Sequence, residues 1–144
     1  MPTDTFDPAK RQIPTSAPRR RPMTGFADTE LRKAREALSD ARKLREADGS
    51  TPGVVNRVYF AVFHAARAVL SVRGTLPDDE DHVPAQFAED VVIAEETSME
   101  DAQFLNGLRA YRKKADYEHE SVDVDLDARI VRAERFVDDM GAFW

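Results

Sequence analysis

Residues 51–73 read TPGVVNRVYFAVFHAARAVLSVR, and this stretch decides the fold. Thr51 offers an N-cap with Pro52 at the first helical position, where a missing backbone N–H costs nothing. Gly74 and Pro77 stop the segment after Arg73. Between these signals Val55, Val58, Tyr59, Val62, Ala66 and Val69 line one side, and Phe60, Phe63 and Leu70 line the next. A helix that is apolar around most of its circumference belongs in the middle of a bundle.

The flanking segments supply its neighbours. Ala27, Leu31, Ala34, Leu38 and Ala41 recur at alternating steps of four and three, one apolar stripe on a charged helix that Asp48-Gly49-Ser50 ends. The acidic run 78–81 reads as a loop, followed by a short helix carried by Val83, Phe87 and Val91. Thr97 and Glu100 have capping-box spacing and open a helix from Met99 to Glu118. Asp125 suits the positive end of a last helix, with the stripe Leu126, Ile130, Ala133, Val137 and Met140. No segment alternates with period two. The pattern predicts an all-α, antiparallel (up-down) bundle of four long helices and one short one. Tyr59, Val62, Phe63, Ala66, Leu105, Leu108, Ile130 and Val137 are the expected core.

The 144 residues fit one domain, with 42% hydrophobic and 33% charged residues. Residues 1–22 hold five of the eight prolines and carry a charge of +3, against −9 for the rest. They read as a flexible basic tail, dispensable for folding, ahead of a bundle domain over 23–144. Cysteine is absent, which excludes disulfides, thiolate metal sites and cysteine nucleophiles. No apolar run is long enough to span a bilayer, so the expected location is cytoplasmic, with no membrane partner. Between Arg73 and Arg109 there is neither Lys nor Arg, so that surface repels a phosphate backbone. Three scattered histidines lack zinc-helix spacing, and neither a metal nor a cofactor is expected.

One helix carries an anomaly. Leu105, Leu108, Arg112, Ala115 and His119 share the face that should meet the core, with Asp116 beside it. Arg112 and Asp116 are four apart, and Asp116 and His119 three apart, so each pair can touch. A charge on an apolar stripe must be paired or line a cleft. Arg112, Asp116 and His119 are therefore the candidate site, weighed against a purely architectural Arg–Asp pair. Arg57 and His64 form a second polar stripe, read as part of a close helix contact made through Ala61 and Ala68. His82 reads as a solvated loop residue.

Two motifs carry a resemblance. The run from Asn56 to Ala68, NRVYFAVFHAARA, resembles the second-helix signature of HEPN domains. The run Arg112-Lys113-Lys114-Ala115-Asp116-Tyr117 resembles the Arg-x-x-Ala-Asp-Tyr block of one HEPN branch. The resemblance covers roughly residues 27–141. It implies a small helical bundle that forms a homodimer, often beside a minimal nucleotidyltransferase as a toxin–antitoxin pair. Many such domains are metal-independent RNases with an Arg-x(4–6)-His motif, and Arg112 to His119 matches its longest form. On that analogy Arg112 stabilises the transition-state charge, His119 handles the proton, and Asp116 orients it. The alternative is an accessory module that binds RNA or a nucleotide through Arg112, Lys113, Lys114 and Tyr117. Two departures bear on the choice. Lys113 stands where active relatives place a small polar residue after the arginine. Ser121 occupies the position at which some relatives carry a modifiable tyrosine. The accessory reading leads.

Overall fold

The computed structural model describes residues 25–92, 94, 97–118 and 125–144, with backbone alone at Val92 and over 114–118. The described residues hold five α-helices and no strand: α1 (Phe26–Glu46), α2 (Thr51–Arg73), α3 (Val83–Phe87), α4 (Met99–Glu118) and α5 (Leu126–Gly141). A 3-10 turn (Glu80–His82) leads into α3 and a π turn (Ala88–Val92) leaves it. The expected all-helical bundle of four long helices and one short one is what the chain forms. The acidic loop is shorter than expected, because the Asp79 carboxylate caps the 3-10 turn at Asp81 N–H.

α2 is central, as its composition demands. It packs on α1, α5 and α4, and α1 also packs on α5. Twelve of its residues are buried, from Val54 to Leu70. Within one chain the bundle thus buries most of the apolar circumference of α2. Ala61, Ala65 and Ala68 are fully buried. Their small side chains let neighbouring backbones approach, the close contact expected for this part of the helix. All eight expected core residues are buried, as are Val83, Phe87 and Val91.

Two caps differ from the expected ones by one residue. Ser50, not Thr51, caps α2, its hydroxyl accepting from Gly53 N–H at 3.1 Å. At α4 the Ser98 hydroxyl accepts from Asp101 N–H at 3.2 Å, so the cap is Ser98 rather than Thr97 with Glu100. In both places a second hydroxyl residue stands next to the first, and sequence spacing alone does not choose between them. The Asp125 carboxylate caps α5 through Ala128 N–H at 3.0 Å, as expected. Gly74 ends α2 at φ 79°, the left-handed conformation that glycine adopts without a Cβ clash.

Asp101 reaches beyond its cap. It is buried, takes a hydrogen bond from the Thr97 hydroxyl, and accepts from Arg132 Nη2 at 2.6 Å. The Arg132 guanidinium also lies over Phe104, 4.8 Å from the ring centre, which ties α5 to α4. Burial alone would raise the Asp101 carboxyl, but Thr97 and Arg132 outweigh it and hold the group below its ordinary value. No helix among the described residues is long and apolar enough to cross a membrane.

Candidate functional site

Along α2 the residues Asn56, Phe60, His64 and Arg67 fall one helical turn apart and are all half-buried. They form a polar and aromatic seam on a helix that is otherwise core. α1 borders this seam at Glu30, and α4 borders it at Arg112.

Arg112 continues the stripe that begins at Leu105 and Leu108, both fully buried, so the backbone of α4 aims it at α2. Its Nε donates to Asn56 Oδ1 at 2.5 Å. The guanidinium carbon lies 5.2 Å from the Tyr59 ring centre and 5.1 Å from that of Phe60. Two ring faces and one amide oxygen thus hold a planar cation in one orientation. Each ring contact contributes about 0.5–2 kcal/mol, depending on how much water is excluded. Burial pushes the Tyr59 hydroxyl above its ordinary range, against the pull of Arg112 and Arg109, so Tyr59 serves here as a neutral ring. One turn back along α4, Arg109 Nη2 donates to Asp81 at 2.9 Å. Lys113 is exposed beside Arg112, and Arg57 is exposed one residue past Asn56. The edge of the seam toward α4 thus carries Arg112, Lys113 and Arg57 beside the Arg109–Asp81 pair and Glu80.

The edge toward α1 is built around a buried carboxylate. Glu30 is only 1% exposed. It accepts from Arg67 Nε at 2.7 Å and Lys33 Nζ at 3.2 Å, and its Oε1 lies 2.8 Å from His64 Nδ1. Burial by itself would raise this carboxyl. The hydrogen bonds from His64 and Arg67, with the bond from Lys33, overcome that and leave it below its ordinary value. Arg67 also covers Phe26 and Phe63, at 5.2 and 5.6 Å from the ring centres.

Of the expected site residues, Arg112 lies against Asn56, Tyr59 and Phe60, and Lys113 is exposed. The side chains of Lys114, Asp116 and Tyr117, and the whole of His119 and Ser121, lie outside the described residues. The second polar stripe divides: Arg57 is exposed, whereas His64 turns into the bundle to Glu30. His82 is exposed, as expected of a loop histidine.

Sequence reasoning missed Glu30, Arg67 and the role of Asn56. The signal for Glu30 was present: Ala27, Glu30, Leu31 and Ala34 follow the spacing of a buried helix face, with a carboxylate in an apolar slot. Asn56, which accepts from Arg112 Nε, is 56 residues away in the chain, and no local pattern pairs the two.

The model of the HEPN domain family matches residues 27–144. The chain is also similar to a UPF0332 protein of Thermotoga maritima, 31% identical over 109 residues, which cover 74% of this chain and 82% of that protein.

Proposed function

Because the chain belongs to the HEPN domain family, we propose that it is an accessory module that binds a nucleotide through Arg112. It would do so as one half of a toxin–antitoxin type pair with a minimal nucleotidyltransferase. The observation that carries this reading is the orientation of the Arg112 guanidinium by Asn56, Tyr59 and Phe60. A guanidinium held in plane before a ligand arrives loses little further freedom on gripping a phosphate, and its fork matches phosphate oxygens. Exposed Lys113 and Arg57 add attraction for an anion, and the acidic surface between Arg73 and Arg109 complements a basic protein partner. The nucleotidyltransferase partnership and a homodimer rest on the family resemblance.

The spacing of Arg112 and His119 favours a second reading, a metal-independent endoribonuclease. In it Arg112 steadies the charge on the phosphorus while His119 moves the proton of the attacking or leaving oxygen. Incubating the purified chain with ATP, and separately with mixed single-stranded RNA in EDTA, separates the two. The accessory module binds ATP and leaves the RNA intact. The ribonuclease cuts RNA in EDTA and loses that activity in both Arg112→Gln and His119→Ala. A chain that neither binds ATP nor cuts RNA contradicts both.

A further inference from the structure

His64 is fixed in the α2 seam by a carboxylate that water scarcely reaches. An ionised carboxylate offers acceptors only, so the Nδ1 that lies 2.8 Å from Glu30 Oε1 carries the shared proton. In the neutral imidazole the other nitrogen, Nε2, then holds a lone pair and can only accept. Arg67 and Lys33 already give Glu30 two cationic donors, so the carboxylate is balanced without the histidine. What the third bond adds is a fixed ring orientation and a fixed tautomer. The imidazole remains 23% exposed.

The ring also lies in register with Arg112. His64 stacks near Phe60, with centroids 6.1 Å apart and planes 25° from parallel, and Phe60 in turn carries the Arg112 guanidinium. Asn56, which holds Arg112, and His64 are eight residues apart on one helix, about 12 Å along its axis at 1.5 Å per residue. The guanidinium itself sits nearer, over Phe60, so Arg112 and His64 flank one ring, a spacing that suits a nucleotide lying from its phosphate toward its sugar.

We infer that His64 is a specificity residue for the nucleotide whose phosphate Arg112 grips, its Nε2 accepting a hydrogen bond from a base amino group or the ribose 2′-hydroxyl. The inference rests on the nucleotide-binding reading above. Glu30 is the positioning residue behind it. A ligand with a carbonyl in place of the amino group, or without the 2′-hydroxyl, leaves that acceptor unmatched.

The test compares ATP, ITP and 2′-deoxy-ATP by calorimetry on the full chain and on His64→Asn and Arg112→Gln. The asparagine amide can still donate to Glu30 from the place of Nδ1, so the bundle keeps its contact while Nε2 is removed. The wild type is expected to bind one of the two analogues about tenfold more weakly than ATP, the effect of one lost hydrogen bond. His64→Asn is expected to weaken ATP about tenfold and to abolish that preference. His64→Asn that binds ATP as tightly as wild type, or that weakens all three ligands equally, overturns the inference. The nucleotide-binding reading survives that result as long as Arg112→Gln loses ATP. A wild type that binds no ATP overturns both.

Discussion

Glu30→Ala is expected to destabilise the bundle by about 3 kcal/mol, the lower end of what removing one partner of a buried ion pair costs. The carboxylate is 1% exposed and joins α1 to α2 through His64 and Arg67. Its removal leaves Arg67, only 20% exposed, without its acceptor, whereas Lys33 is half-exposed and turns to water at little cost. Glu30→Gln keeps the shape and one acceptor oxygen and should cost less. The effect depends on pH with a definite sign. The folded-state pKa of Glu30 lies below its ordinary value of 4.5, so the stabilisation is fully present above that pH. It is lost as pH falls below 4.5 and through the folded-state value. Urea unfolding of wild type and variant across this range measures it, and the gap between the two curves should close on the acid side. A gap that stays constant with pH would mean that the Glu30 charge contributes nothing.

Phe136→Ala should cost about 4 kcal/mol, within the range for emptying a fully buried aromatic site. Phe136 is the point where α5 meets two other elements. Its ring lies 5.7 Å from Phe87 on α3 and 6.4 Å from Phe104 on α4. The cavity left by the ring therefore opens at a junction that three elements share, and collapse of one side chain cannot fill it. For a domain of this size that loss lowers Tm by roughly 12 °C. Val131→Ala on the same helix, at a site 63% exposed, is the control and should change stability by less than about 0.5 kcal/mol. Thermal unfolding of the two variants side by side checks the contrast. Equal shifts would place the centre of the core elsewhere.

These two residues show how far sequence reading carried. The apolar circumference of α2 and the stripes of α1 and α5 are local periodicities, and they located the bundle and its core. The α5 stripe as read passed over Phe136, which lies next to Val137 and faces α3 and α4 rather than α2 alone. A helix gripped on two sides buries more than one stripe, and a single stripe of steps of three and four hides that. Glu30 and Asp101 sit in apolar slots of their helices, Glu30 beside Leu31 and Asp101 four residues before Leu105. A search for apolar stripes passes over both, because they are charged. Their burial is stable because Arg67 and Arg132 arrive from other helices, and those meetings are set by packing.

The candidate site was readable to the same depth. The position of Arg112 on a core-facing stripe marked it as anomalous, and periodicity is enough for that conclusion. Its grip by Asn56, Tyr59 and Phe60 required the angle at which α4 crosses α2. Once that crossing is known, the motif from Asn56 to Ala68 resolves into two tasks. One set of positions fills the core, and the other set, Asn56, Phe60 and His64, faces the seam.

If Arg112 is oriented for a ligand rather than merely joining α4 to α2, nucleotide affinity depends on its charge. The dissociation constant of ATP for Arg112→Gln tests it most directly, because the glutamine amide can still donate to Asn56 while the charge is gone. Affinity is expected to fall roughly 30-fold, the worth of one charge-assisted contact of about 2 kcal/mol. An unchanged dissociation constant in a folded Arg112→Gln variant would contradict it.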